Sequence, residues 1–297
     1  MSQQGSSIAC RNTCSTANDI GSTTARNFSM SVQWLRLERD FLLVQGVDAE
    51  KYLHSQLSQS IQGMAVGSAQ HSLLLQPTGK LDAVLRISRL EDTIFVLDME
   101  PGTAEGALLR LKKFMIRVQA TIEVVQWQCV ALRGEGALEA AKSLGRIPSE
   151  GAVVAAWWPT SHAVDLVGPT VADIPADAAS AMSDAEFQSL RVTAGWPVVG
   201  IDIENGCVPG ETGLLGVAVS FSKGCYPGQE LVERMDSRAA VSPHVLRRVE
   251  VADGAQVGDH IVVDGADCGV VTSVAGTVAI ARMSRSANEY GEALQPA

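Results

Sequence analysis

Large apolar residues are sparse over residues 1–29, where Ser, Thr, Asn and Gln dominate. Such a stretch cannot bury enough surface to offset its ordering entropy, so a disordered tail is expected there. Beyond it the apolar positions turn periodic. Phe41-Leu42-Leu43-Val44 predicts a short strand, and Gly46-Val47-Asp48 a turn into a helix with Asp48 as its N-cap and Tyr52, Leu53 and Leu57 on one face. Gln70–Gln76 predicts a strand and Pro77-Thr78-Gly79 a turn. Leu81, Ala83, Leu85 and Ile87 then alternate with their neighbours, the period of a half-buried strand. Thr93–Met99 reads as a strand, 103–115 as a helix through Ala107, Leu108, Leu111 and Met115, and Val118–Val125 as a strand. Residues 128–167 repeat this theme, with a helix over 137–144 between strands.

Residues 168–182 are rich in Ala, Pro and Asp and predict a linker. Ser183-Asp184-Ala185-Glu186 is a capping box, Phe187, Leu190 and Ala194 continue its helix, and Gly195 followed by Pro197 ends it. Leu231, Val232 and Met235 share a face of a further helix that begins near Gly228 or Gln229. From Val245 onward short strands recur, with a hairpin signal at Asp264-Gly265, which suggests a small antiparallel barrel. The fold class predicted is α+β.

Composition narrows the picture. The chain has 297 residues, 46% hydrophobic and 19% charged, enough for two or three domains. A formal net charge of −10 argues against binding nucleic acid through a basic surface. No apolar run approaches the ~20 residues a membrane span requires. The first 30 residues lack the apolar segment of a secretory signal. Their Arg11 and Arg26 would suit a transit peptide, and Met30 an internal start of translation. Six cysteines, at 10, 14, 129, 207, 225 and 268, form no Cys-x-x-Cys pair, which predicts reduced thiols and a cytoplasmic protein.

The densest cluster of unusual residues is Lys223-Gly224-Cys225-Tyr226-Pro227-Gly228-Gln229-Glu230. A cysteine ahead of a helix N-terminus, with a lysine two residues before it, can have a lowered pKa. A packed, inert cysteine in a tight turn is the plainer alternative. Glu211 sits between Pro209 and Gly213, in backbone that is first pinned and then freed. Arg191 falls in the last turn of its helix, where a cation suits the dipole. The Trp157-Trp158 pair can fill a core or interface site or stack on a flat ligand, and the first use is the commoner.

This octet resembles the signature of the YgfZ-type folate-binding proteins, relatives of the glycine-cleavage T-protein (aminomethyltransferase) that are implicated in iron–sulfur cluster assembly. Arg191, Gly195, Pro197, Gly200 and Asp202 look like the family's R-x-x-x-G-x-P-x-x-G-x-D run, and Pro209-Gly210-Glu211-Thr212-Gly213-Leu214 like its P-x-E-x-G-L run. Gly46, Asp48, Ala49, Leu53, Gln56 and Leu57 match a third stretch, with Tyr52 for its aromatic. The specific match covers Arg191–Met235; elsewhere the chain fits in general pattern.

The resemblance implies a T-protein-like fold, with ferredoxin-like α/β layers around a central cleft and the C-terminal barrel. The domains expected are 30–77 plus 183–242 for folate, 78–182 as a middle domain and 243–297 as the barrel. It implies tetrahydrofolate, or a derivative, as cofactor. Glu211 would accept the pterin's adjacent ring N–H and amino hydrogens, with Arg191 and Tyr226 as further cofactor residues. Cys225 and Lys223 would be the chemical site. The cysteine could handle redox chemistry or sulfur, serve as a transient cluster ligand, or simply pack; one cysteine cannot hold a cluster, which normally takes four. Partners would be folate and transient iron–sulfur client or assembly proteins, with no nucleic acid, no membrane and a monomeric state. The function implied is tetrahydrofolate binding in assembly, insertion or repair of iron–sulfur clusters in other proteins. The alternatives are a folate-dependent aminomethyl- or methyltransferase and a folate-binding scaffold without chemistry. The chain departs from the transferase pattern: where that family has paired aspartates it has Ala83 and Val84, with Asp82 one residue off.

Overall fold

The computed structural model describes residues 7–9, 32–144, 151–158, 162–237, 242–287 and 289–294. Three sheets carry the architecture. The first is antiparallel throughout, in the order Ala69–Leu75, Leu81–Glu91, Ile94–Met99, Asp40–Gln45, Thr121–Val125. The second runs Ser180–Ala181, Gln33–Leu37, Gln128–Arg133, Ala163–Gly168, Ala152–Ala155. The third runs Ser7–Ala9, His260–Val263, Ala266–Ala275, Val278–Ser284, His244–Glu250, Glu292–Ala293. Six α-helices accompany them among the described residues: α1 Ala49–Gln56, α2 Ala104–Lys112, α3 Ala137–Ser143, α4 Asp184–Thr193, α5 Leu215–Ala218 and α6 Gln229–Asp236. None is long and apolar enough to cross a membrane.

Alternation decides where each sheet buries its faces. In the first sheet Leu42, Val44, Leu85 and Leu97 meet Leu53 and Leu57 at α1 and Leu111 of α2 in one core. In the second, Val130, Leu132 and Leu166 meet Ala137 and Ala141 of α3. The opposite faces, with Leu73, Leu75, Val84 and Ala131, contribute to a central core that also takes Trp157, Trp158, Phe187, Trp196 and Tyr226. The first and second sheets therefore close on each other with α4 at their side.

The expected helix starts at Ser183 and Gly228 are found. Ser183 and Glu186 form the reciprocal capping box, and α6 begins at Gln229 with Gly228 at its N-cap. Asp48 precedes α1 but makes no side-chain cap; its carboxylate accepts from Gln119 N at 2.8 Å.

Sheet membership groups the chain differently from the expected domains. Ala69–Leu75 and Leu81–Glu91 are paired strands of one sheet, so residue 77 falls in the turn that joins them. Gln33–Leu37 belongs with the middle segment through Gln128–Arg133. Five C-terminal strands and Ser7–Ala9 form the third sheet, in which, among the described residues, no pairing joins the two edge strands, so closure into the expected barrel is not shown. Ser7–Ala9 adds a parallel edge strand against His260–Val262, where composition predicts no order. The rest of the tail, with Cys10 and Cys14, lies outside the described residues.

Candidate functional site

The loop before α6 is seated by glycines. Gly228, at φ 85°, approaches the turn after Ala69–Leu75 so closely that a Cβ would lie 2.8 Å from Gln76 O and 3.1 Å from Gly79 Cα. Gly79, at φ 88°, faces α6, and a Cβ there would lie 2.6 Å from Leu231 Cβ. Both contacts require a residue without a side chain.

Lys223 ties the other end of that loop. Its Nζ donates to the carbonyl of His54, to Leu57 O at 2.5 Å and to Gln59 O at 3.1 Å. These carbonyls lie at and just past the end of α1, where unpaired acceptors and the dipole both favour a cation. Burial pushes the lysine down to about 8. The ammonium that the sequence sets beside the thiol is thus engaged at α1. Cys225 is exposed. Tyr226 turns into the central core, its ring 5.1 Å from Lys223 Nζ, and burial followed by Glu233 pushes its hydroxyl up to about 12. Cys129 and Cys207 are buried and pushed up to about 12, chiefly by burial, and Cys268 is half-buried. Cys225 is therefore the one exposed thiol among the described residues.

Glu211 closes a single 3-10 turn, Pro209–Glu211. Its Oε2 accepts from Val208 N at 3.3 Å, and its Oε1 lies 3.6 Å from His244 Nδ1. The crevice it lines with Asp202, Cys207, His244 and Arg282 holds ≈ 10 Å³, room for about one water. Arg191 is buried and internally engaged. Nε donates to Gln188 Oε1 at 2.6 Å, Nη1 to Trp196 O at 2.6 Å and Asp202 Oδ2 at 2.8 Å, and Nη2 to Ser273 Oγ at 2.7 Å. Asp202 also accepts from Val198 N, Thr272 Oγ1 and Ser273 Oγ. This knot joins α4 to the following loop and to the third sheet.

A larger space than this crevice lies elsewhere. A cleft of ≈ 560 Å³ opens between Leu35–Arg39, Glu100–Pro101, Trp157–Trp158 and α4, with Val198 and Ile201 at its side. That is within the range of small-molecule sites, about 300–1,000 Å³. Trp157, Trp158, Phe187 and Trp196 give it an aromatic wall. Another hollow, ≈ 630 Å³, lies between the end of α4 and Glu292–Leu294, and it has no aromatic lining.

A buried ionic layer backs the cleft. Arg86 grips Asp98 with Nε and Nη2, both at 2.9 Å, and donates from Nη1 to Asp165 at 2.5 Å. Arg133 Nη1 donates to the other oxygen of Asp165 at 2.8 Å, and Trp157 Nε1 to Asp98 Oδ2 at 2.8 Å. The guanidinium of Arg39 lies 3.9 Å from the Trp157 ring centre, with Nη1 on Glu100 at 2.5 Å. His71 is wedged between Trp157 and Trp196, at 5.3 and 4.7 Å. Burial first, then Arg86 and Arg39, push it down to about 3, so it stays neutral.

The five residues singled out in the sequence do not meet in one cavity. Lys223, Cys225 and Tyr226 share the loop before α6, Glu211 has its own crevice, and Arg191 borders the cleft with its donors turned inward. No local signal in the sequence marks Arg39. It lies between charged Glu38 and Asp40, which reads as surface, yet it stands where the chain crosses from the second sheet to the first. Ala83 is buried in the core of the first sheet and Val84 in the central core, while Asp82 accepts from Gln76 Nε2 at 2.8 Å.

No family model matches the chain. An uncharacterized protein of Haemophilus influenzae is 25% identical over 221 residues, covering 73% of this chain and 74% of that one. The tRNA-modifying proteins YgfZ of Shigella sonnei and Escherichia coli are 26% identical over 215 residues, which is 66% of this chain. The chain spans 65% of the length of those YgfZ proteins. The glycine cleavage system aminomethyltransferase T of Bartonella henselae superposes with a TM-score of 0.71 at 18% identity, over 86% of this chain and 79% of that one. That match shows the fold.

Proposed function

We propose that this chain, similar in sequence to the YgfZ proteins and built on the fold of the glycine-cleavage T-protein, binds tetrahydrofolate in the central cleft and acts in the assembly, insertion or repair of iron–sulfur clusters in other proteins. The observation that carries the reading is the cleft itself: ≈ 560 Å³ with one aromatic wall, on this fold. The wall suits a flat ring system.

In this reading Glu211 receives the adjacent N–H donors of the pterin. Val198 and Ile201 line the cleft, while Asp202 and Ile203 line the crevice of Glu211, so the short segment 198–203 is what separates the two. For a pterin in the cleft to reach Glu211, the segment 198–203 has to move aside. Cys225, exposed on a loop fixed by Lys223 and by two glycine contacts, meets the client protein. Its exposure supports an exchange role over a packing role. Aminomethyl transfer draws no support, because Ala83 and Val84 place no carboxylate and are themselves buried.

The experiment is calorimetric titration with tetrahydrofolate, joined to complementation of a deletion strain scored by its iron–sulfur enzymes. Glu211→Ala should bind about ten- to a hundredfold more weakly, the loss of one charge-assisted hydrogen bond. Cys225→Ser should bind as the parent does yet fail to restore the enzymes. Unchanged affinity in the first variant removes Glu211 from the site. Full complementation by the second turns the protein into a folate-binding scaffold.

A further inference from the structure

A guanidinium has one edge, Nε with Nη2, that matches both oxygens of a carboxylate. Arg86 shows the edge in use, closed on Asp98 by two bonds of 2.9 Å. On Arg39 the same two atoms, Nε and Nη2, are buried and have no hydrogen-bond partner. Asp98 Oδ2 lies 3.7 Å from that Nε, too far for a bond, and Glu100 occupies only Nη1. The side chain is 6% exposed and lines the central cleft. Arg133 also leaves Nε and Nη2 unpaired, but Trp158 and Phe187 cover its guanidinium at 4.7 and 5.4 Å, and it does not line the cleft. A buried donor pair without acceptors is rare in a folded protein. Here it adjoins a space of ligand size.

We propose that Arg39 is the anion anchor of the central cleft, its buried and unpaired Nε–Nη2 edge taking one carboxylate of the bound molecule in a two-bond fork. The proposal rests on the cleft as the ligand site and adds the class of ligand: a flat ring system bearing a carboxylate. Trp157, stacked under Arg39, holds the guanidinium plane in place for the fork. Around the edge, Arg39, Arg86 and Arg133 are balanced by Asp98, Glu100 and Asp165, so selectivity comes from the matched pair of donors and not from excess positive charge.

The test uses the full chain and three probes, read by calorimetry and by tryptophan fluorescence. N-(4-aminobenzoyl)-L-glutamate carries carboxylates without a pterin, 6-methyltetrahydropterin carries the pterin without a carboxylate, and inorganic phosphate is a non-planar oxyanion. Arg39→Lys keeps the charge and loses the fork. It should weaken the aminobenzoylglutamate about tenfold and leave the methylpterin unchanged. Glu100→Gln removes the carboxylate that neutralises Nη1, and it should tighten the aminobenzoylglutamate several-fold. Equal affinities for the parent and Arg39→Lys overturn the anchor, as does an equal loss for both organic probes or no tightening in Glu100→Gln. Phosphate competing as well as the carboxylate probe overturns the carboxylate assignment. Arg39-dependent binding of the carboxylate probe with no binding of the methylpterin keeps the anchor and removes the folate reading.

Discussion

His71 illustrates what burial does to a single titratable side chain. It is held neutral between Trp157 and Trp196, pushed down to about 3 by burial and by Arg86 and Arg39. In the unfolded chain its pKa is about 6.5. Between these values the unfolded state binds more protons, so stability from this residue is complete above pH 6.5 and is lost as pH falls toward 3. At pH 4.5 the loss should reach about 3 kcal/mol. In His71→Phe the fall in urea midpoint from pH 7 to 4.5 should be visibly flatter than in the parent; equal slopes would show that this imidazole is not the titrating group. Residue identity alone did not reveal this environment. Nothing in Gln70-His71-Ser72 announces that two sheets will close over the histidine, just as nothing around Arg39 announces a buried edge. Such sites are made by residues distant in sequence: His71 belongs to one hairpin, Trp157 to the bend after Ala152–Ala155 and Trp196 to the loop after α4.

At the scale of elements, local chemistry was legible and long-range closure was not. The capping box at Ser183 and the start of α6 at Gln229 follow from interactions over a few residues, and both are found. Asp48 also sits where a cap belongs, but Gln119 N, 71 residues away, takes its carboxylate. Lys223 is the clearest case. Its neighbourhood in sequence ties it to Cys225, whereas in space it closes the C-terminus of α1. Lys223→Met would leave the carbonyls of His54, Leu57 and Gln59 without their cation. It should cost roughly 1–3 kcal/mol of stability and speed proteolytic cleavage within 220–228. Retained stability with unaltered cleavage would mean that the glycine contacts at Gly79 and Gly228 seat the loop unaided.

For the whole molecule, periodicity predicted the α+β class, and the motifs of Arg191–Met235 pointed to the T-protein fold that the superposition shows. Closure into a barrel is not shown among the described residues, and strand spacing predicts strands and hairpins but not whether two edges meet. The grouping of strands into sheets also escaped the sequence, since Gln33–Leu37 crosses to a partner almost a hundred residues on. The cleft is a product of that crossing. Ile201 stands at its side, 53% exposed, on the segment that separates it from the crevice of Glu211. Ile201→Glu should fold as the parent does and project an anionic side chain into the cleft, which repels a carboxylate-bearing ligand. The decisive measurement is the affinity of tetrahydrofolate for this variant, by calorimetry, beside its melting temperature. Binding in the central cleft predicts an unchanged melting temperature and affinity lowered at least tenfold; full affinity in a well-folded Ile201→Glu would place the folate somewhere else.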